Sequence, residues 1–503
     1  MEEYDYIVVG AGTAGCVVAA RLSQDPAASV LLVEAGGAER TRAMTVPNEW
    51  PALLGTAADW ASLAGDQAAI GNAVLPRGRV LGGSSAINAM AHLRGHRAVY
   101  DGWAAGGAPG WGFADLLPCF QRSESAPGRD AALRGMDGPV RVSQASADPH
   151  PVARAFVTAL AAAGHPVSRD LSGTEQEGVT WHDLAIADGE RVSSADGYLR
   201  PVLGRPNLTV ETDCLVTGLA VRRGRCTGVQ YVRDGVPAQA GASAEVILCA
   251  GGIGSPQLLM LSGIGPAGEL RDLGIDPVAD LPGVGANYHD HPIVMVSYAS
   301  AATLPASRYN HGEAVAALRS GLPGEVPDLH LFPILLPLAP PGCEPPADGY
   351  VLVASAVAPD SRGTVRLASA APGAAPLIDP NFLADERDLD RLETGLGMVR
   401  AAAAGDAFAG LAKAEVWPGP DVTSRAGIRD YIRRTVFSYY HPAGTCRMGS
   451  GDGSVVDPQL RVHGVAGLRV ADASVMPVIP NAHPNATVLA IAERAAELIA
   501  GSG

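Results

Sequence analysis

Three short stretches hold residue types at spacings that could do chemistry. In "IVVGAGTAGCVV", Gly10, Gly12 and Gly15 stand in GxGxxG spacing. There the first glycine permits a tight turn, the second lets the backbone approach a pyrophosphate, and the third lets a helix pack closely on a strand. In "RGRVLGGSSAIN", Gly82 and Gly83 leave room for a flat ring or a phosphate, Ser84 and Ser85 offer donors, and Arg77 and Arg79 add positive charge. In "SYYHPAGTCRMG", His441 sits in a segment that Pro442 and Gly444 punctuate too closely for a long helix or strand. Its unperturbed pKa near neutrality suits it to take a proton. A histidine beside a proline also often only caps or packs a loop, so residue type alone leaves both roles open.

The elements that must position these residues are partly legible. Tyr6 to Val9 reads as a buried parallel strand, Ala14 to Leu22 as a helix, and Val30 to Val33 as a second strand ending in Glu34. Glu34 follows Gly15 by 19 residues, the distance at which an acid accepts hydrogen bonds from ribose hydroxyls and its charge repels a 2′-phosphate. The unit therefore binds a dinucleotide, NAD or FAD, and the fingerprint does not separate the two. "NLTVETDCLVTGLAVRRGRCTGVQYV" contains three period-two runs and predicts an antiparallel meander, and Ala244 to Gly252 predicts another buried strand. Farther on, "PDLHLFPILL" and "DGYVLVASAVAPDSRGTVRLAS" read as strands. Leu389, Leu392, Leu396 and Val399 mark an amphipathic helix.

Composition narrows the classes. The chain has 503 residues, enough for two structural domains. Its 47% hydrophobic and 18% charged residues are an ordinary globular balance, which argues against long disorder. A formal net charge of −15 disfavours a nucleic-acid partner. Seven cysteines without a CxxC pair indicate neither a disulfide framework nor a metal site. No run reaches the length of a membrane helix, and the chain starts with acids rather than a basic, apolar leader. A cytoplasmic setting is expected.

Taken with "GGIGSPQLLMLSGIG" (Gly251 to Gly265), "HPAGTCRMG" and the C-terminal "LRVADASVMPVIPNAHPNATVLAIAERAAELI", these stretches occur in the order of the glucose–methanol–choline (GMC) family of FAD-dependent oxidoreductases, which the chain resembles from about residue 4 to residue 500. Gly252 departs from the Ala, Ser, Thr or Pro usual there, and His92 stands where the family commonly has an aromatic residue. The resemblance implies an α/β fold. Its discontinuous FAD-binding domain has a Rossmann-type parallel sheet and a β-meander (1–100, 200–291 and 453–503), and its substrate domain has an antiparallel sheet flanked by helices (101–199 and 292–452).

It further implies FAD in place of NAD, held by Gly10, Gly12, Thr13, Ala14, Gly15, Glu34 and Ala35, and by Arg79, Gly82, Gly83, Ser84, Asn88 and Ala89. Val216, Asp472, Ala473, Asn485 and Thr487 complete the implied set. Where some relatives attach FAD through a histidine, this chain has Ile87, so the FAD is expected to be non-covalent.

The resemblance makes His441 the catalytic base at the flavin's reactive edge and His483 its partner, with Asn485 the alternative partner two residues on. The reaction implied is oxidation of a small-molecule alcohol to an aldehyde or ketone, with oxygen or a quinone or other carrier as electron acceptor. A hydroxynitrile-lyase-type reaction, or that of another non-oxidative relative, is the alternative. Glu313 is a candidate pocket acid and Tyr439 and Tyr440 are candidate pocket rings. The short span between "YHDHP" (Tyr288 to Pro292) and "PDLHLF" suggests an open site for a bulky or conjugated alcohol.

Overall fold

The computed structural model describes residues 2–63 and 74–501. Its first seven-stranded sheet begins with Glu2–Val9, flanked by Val30–Val33 on one side and Val236–Leu248 on the other, all parallel. Leu208–Glu211 extends the sheet beyond Val30–Val33, and Leu468–Val470 pairs with the end of Val236–Leu248, again parallel. Ile7–Val9, Val30–Val33 and Val246–Leu248 are buried, as strands covered on both faces must be. The helices Thr13–Leu22 and Pro484–Ala500 pack together against this core.

Within this sheet the predicted meander is partly redrawn. Cys214–Arg222, Arg225–Arg233 and the first half of Val236–Leu248 form the antiparallel ribbon. Leu208–Glu211 belongs to the parallel layer instead. Period-two alternation is the same for either pairing, and the register is set by its buried neighbour Val30–Val33.

The second seven-stranded sheet is antiparallel throughout. Its order is Ala412–Trp417, Pro292–Ser300, Gly349–Ala356, Leu329–Ile334, Ala314–Leu318 and Gly178–Trp181, with Phe437–Ser438 pairing the start of Pro292–Ser300. Strand alternation separates its two faces. Leu331, Ala354 and Val294 pack under the helix Glu386–Ala403, on Leu389, Leu392 and Leu396. Phe332, Val353 and Met295 point to the opposite face, where Tyr439 packs against them.

The span 101–199 divides between the two layers. The helix Phe113–Ser123 packs against Pro484–Ala500, with Leu116 and Phe120 in the first core, while Pro151–Ala162 packs under the second sheet. Between Pro292–Ser300 and Leu329–Ile334 the chain forms one strand and no helix. Among the described residues, no helix is long and apolar enough to cross a membrane.

Candidate functional site

The parallel strands deliver the residues expected to bind the nucleotide by their C-terminal ends. Val9 leads into Gly10, Val33 into Glu34, Leu248 into the turn before Gly251–Leu261, and Val470 into Asp472. This edge is where open α/β sheets take ligands. Gly10 has φ +96°, and a Cβ on Gly15 would lie 1.8 Å from the Gly10 carbonyl oxygen, so the turn and the helix contact require glycine. Gly12 caps Thr13–Leu22 in an extended conformation, and Ala14 is buried in that helix. Thr13 donates its hydroxyl hydrogen to Asn485 Oδ1 at 2.9 Å, tying this turn to the last helix.

Glu34 is buried and accepts the backbone N–H groups of Ala11 and Gly36 at 2.8 and 2.9 Å. Burial pushes its pKa up to about 7, against the pull of those N–H groups. The part expected of it, accepting from ribose hydroxyls, would rest on its remaining lone pairs as much as on charge. Half-buried Ala35 follows it.

The second glycine turn closes on the first. The Gly82 N–H donates to the Ala11 carbonyl at 2.8 Å, and a Cβ on Gly83, at φ +52°, would come within 2.6 Å of Gly12 Cα. Ser84 opens a short helix and accepts the Gly78 N–H. Asn88 is fixed by Arg191, whose Nη1 meets its Oδ1 at 2.9 Å, and the Ala89 carbonyl accepts from Asn310.

Of the two arginines here, Arg79 is exposed and its guanidinium lies over the Trp60 ring at 4.9 Å. Arg77, read only as nearby charge, has its Nη1 buried without a partner. Burial pushes its pKa down to about 10, which an anion beside it would reverse. A cradle between two glycine turns, with an unpartnered guanidinium nitrogen, fits a pyrophosphate-bearing dinucleotide. Ile87 packs into an apolar cluster with Met44 and Val80, and offers no atom for covalent attachment.

The remaining implied contacts fall as follows. Asp472 spends its carboxylate on the protein, accepting from the Gly251 and Ser474 N–H groups and from the Ser255 and Ser474 hydroxyls at 2.6–2.8 Å. It thus fixes the start of Gly251–Leu261. The Ala473 carbonyl accepts the Gly444 N–H, joining this turn to the His441 loop. Val216 is half-buried opposite Tyr231, and the Thr487 hydroxyl meets the Tyr100 hydroxyl at 2.8 Å.

His441 and His483 come together, their ring centroids 5.3 Å apart and nearly perpendicular. His483 caps the last helix, with Pro484 at its first position. Its Nε2 meets the Tyr439 hydroxyl at 2.8 Å, and its Nδ1 is buried without a partner. His441 Nδ1 lies 2.9 Å from His291 Nδ1. Asp290 sets both backbones, accepting the N–H groups of His291 and His441 at 2.8 and 2.9 Å, together with the Ser438 and Tyr288 hydroxyls.

The structure corrects the near-neutral pKa expected for His441: burial, then the repulsion of His330, pushes it down to about 3. Asparagine 485 is engaged with Thr13, which leaves His483 as the ring facing His441.

Three further histidines, to which no sequence motif assigned a role, join this pair. His291 belongs to the "YHDHP" turn, His182 follows Gly178–Trp181 and contacts His483 at 5.1 Å, and His330 contacts it at 5.8 Å. Phe332 stacks on Tyr439 at 4.8 Å. Of the two candidate rings, only Tyr439 lies among them. Tyr440, at φ +67°, is 40% exposed.

Glu313 departs from its expected part. It is 1% exposed, just before Ala314–Leu318, and its oxygens accept the Ser307 hydroxyl and the His150 N–H at 2.8 and 2.7 Å. It anchors the start of Pro151–Ala162 rather than offering a free charge. His92 is tied to Glu124 at 2.8 Å, within a buried group that includes Arg94 and Arg134.

Comparison with known proteins places the chain in a family. Sequence models described as GMC oxidoreductase match residues 4–293 and 359–492. The chain is 38% identical over 538 residues to a mitochondrial choline dehydrogenase of Homo sapiens, covering 99% of this chain and 90% of that protein. It is 37% identical over 533 residues to an oxygen-dependent choline dehydrogenase of Chromohalobacter salexigens, covering 99% and 95%. The crystal structure of a pyridoxine 4-oxidase from Mesorbium loti superposes with a TM-score of 0.94 at 36% identity, covering 98% of each chain.

Proposed function

The chain belongs to the GMC oxidoreductases, FAD-dependent enzymes that oxidise alcohols, and from that premise we propose that it acts on an uncharged alcohol with a flat, conjugated body, using His441 as base. The observation that carries this reading is the pairing of His441 and His483, each with a ring nitrogen bound behind it, next to an apolar sheet face. FAD, when bound, supplies the acceptor for the hydride leaving the carbinol carbon.

The protein supplies position and proton handling. For His441 to accept the hydroxyl proton at Nε2, its Nδ1 must carry the hydrogen, and His291 Nδ1 is placed to accept it. Burial raises the Tyr439 pKa well above that of a free phenol, so Tyr439 keeps its proton, and for His483 to present an N–H from Nδ1 its Nε2 must accept the Tyr439 O–H. His483 then carries its own proton on Nδ1, the nitrogen left free, where it can donate to the oxygen that gains negative charge. A buried base of low pKa favours proton loss concerted with hydride departure, because a free imidazolium is costly there.

Relatives named for choline and for pyridoxine leave the substrate's charge open. The Glu313 carboxylate is fixed by the Ser307 hydroxyl and the His150 N–H at the start of Pro151–Ala162. Phe332, Met295, Ile293 and Val353 make the facing surface apolar, which suits an aryl body. The cysteines, all unpaired thiols, are consistent with the cytoplasmic setting we infer.

Anaerobic mixing of the yellow protein with aliphatic, aryl, sugar and amino alcohols tests the reading. Bleaching of the visible flavin band by aryl alcohols supports it, and bleaching by choline alone overturns the substrate class. Readmitted air then tells oxygen from a carrier as acceptor.

A further inference from the structure

The ring cluster holds more hydrogen-bonding capacity than an alcohol oxygen uses. Both ring nitrogens of His330 are buried and unpartnered, as are His182 Nε2 and His483 Nδ1. His330 is 1% exposed and His182 3%, so bulk water does not satisfy them. A buried polar atom without a partner is costly, and such atoms gathered in one place point to a ligand that completes them.

Strand register shows where they face. His330 alternates with Leu331, which packs under the helix layer, and shares its face with Phe332. His182 continues the alternation of Thr180, whose cross-strand partner Val315 packs with Ala482, next to His483. Both imidazoles thus come from separate strands onto the face that carries Tyr439, and both contact the His483 ring.

Resting on the alcohol oxidation proposed above, we propose that His182 and His330 form a second hydrogen-bonding subsite, and that the preferred substrate is an uncharged aryl or heteroaryl alcohol bearing a further hydroxyl group or ring nitrogen that they bind. The His441–His483 pair handles the reacting alcohol, and the second pair reads the substituent.

Burial holds His182 near pKa 4 and His330 near 3, so both are neutral at pH 7. Neutral His330 offers one donor and one acceptor, while His182 spends its N–H on the Gly312 carbonyl at 3.0 Å and offers Nε2 as an acceptor, so the pair matches a hydroxyl group or, through the His330 N–H, a ring nitrogen. It gives no counter-charge to a quaternary ammonium. The nearby acids are committed elsewhere: Asp290 to four donors and Asp183 to Arg134 at 3.0 Å. Among the described residues no group of histidines, cysteines and acids is arranged to hold a metal ion.

The test uses the FAD-loaded enzyme, without oxygen, and three matched probes: benzyl alcohol, 3-hydroxybenzyl alcohol and pyridin-3-ylmethanol. For the wild type, kcat/KM for flavin reduction should favour at least one substituted probe over benzyl alcohol by about tenfold or more, the size expected when buried polar groups gain a partner. His330→Phe should collapse that ratio toward one, and His330→Asn, which restores a donor and an acceptor, should recover part of it. A merely structural role would slow all three probes alike and leave the ratio unchanged. Bleaching without preference in the wild type, or an unchanged ratio in His330→Phe, overturns the subsite and leaves the alcohol-oxidation reading standing. If none of the three alcohols, nor any of the wider panel, bleaches the wild type, the alcohol oxidation on which the subsite rests falls with it.

Discussion

His441 and His291 meet through their Nδ1 atoms at 2.9 Å, with the rings perpendicular and 5.1 Å apart. One nitrogen must donate and the other accept. The contact therefore couples the tautomers of the two rings, so that a His291 accepting at Nδ1 leaves His441 Nε2 free to take a proton, and Asp290 holds both backbones in place.

Replacing His291 by leucine removes that acceptor and leaves the His441 Nδ1–H buried and unpaired. The rate of flavin reduction at saturating alcohol should fall about ten- to a hundredfold. His291→Asn, which offers an amide oxygen, should restore part of the rate. Stopped-flow absorbance at the flavin band reads both.

The pH dependence follows from burial. An ordinary histidine base loses activity as pH falls through about 6.5. His441 is held near 3, so its neutral, proton-accepting form persists well below that, and the reduction rate should stay flat from pH 8 down to about 5. The sign for stability is opposite. A histidine whose folded pKa is depressed contributes stability that is present above 6.5 and lost as pH falls toward the folded value. His182, His289, His330 and His441 all have this sense. His96, His150, His291, His311 and His483 are lowered by burial as well, while Glu34 and Asp290, raised to about 7 and about 6, and Glu313 and Asp472, also raised by burial, oppose them: nine histidines against four acids. Thermal melting should therefore move to lower temperature between pH 6.5 and 4, and the acid limit of activity should track melting rather than titration of the base.

Gly252 is where a helix meets the catalytic loop. A Cβ there would lie 2.4 Å from the Pro442 carbonyl oxygen, next to His441, while the Thr445 hydroxyl bonds the Gly252 carbonyl at 2.6 Å. Gly252→Ala should displace the loop and slow flavin reduction by about tenfold or more, since small misplacements of a catalytic group are costly. FAD content, read from the absorbance ratio of the purified protein, should be unchanged.

The two glycine turns should behave differently. Gly83→Ala would push a methyl group into Gly12 from a left-handed backbone position. The variant is expected to purify colourless or to lose its flavin on gel filtration. Arg77→Met, which removes the unpartnered guanidinium without altering a turn, should weaken FAD retention while leaving the far-ultraviolet spectrum intact.

Much of the nucleotide half was legible because its code is local. Gly10, Gly12, Gly15 and Glu34 lie within one strand–turn–helix–strand unit, and spacing alone locates them. His441 and His483 required the surrounding motifs, since neither loop has a periodicity that fixes where a side chain points. His182, His291 and His330 were out of reach for a plainer reason. They are brought to His441 and His483 by the folding of different parts of the second sheet, and no sequence interval encodes that meeting. Burial was equally invisible, so the pKa of His441 and the commitment of Glu313 to Ser307 and His150 emerged only with the packing. Arg77 and Arg79 are two residues apart and chemically alike; only the fold shows which one is buried without a partner.

The most direct measurement is anaerobic flavin reduction by an aryl alcohol in the wild type and in His441→Ala, with FAD content matched. A wild type that bleaches, and a variant that stays yellow and bleaches about 10²–10⁴-fold more slowly, is the predicted result. A variant that bleaches as fast as the wild type would contradict the assignment of His441 as the base.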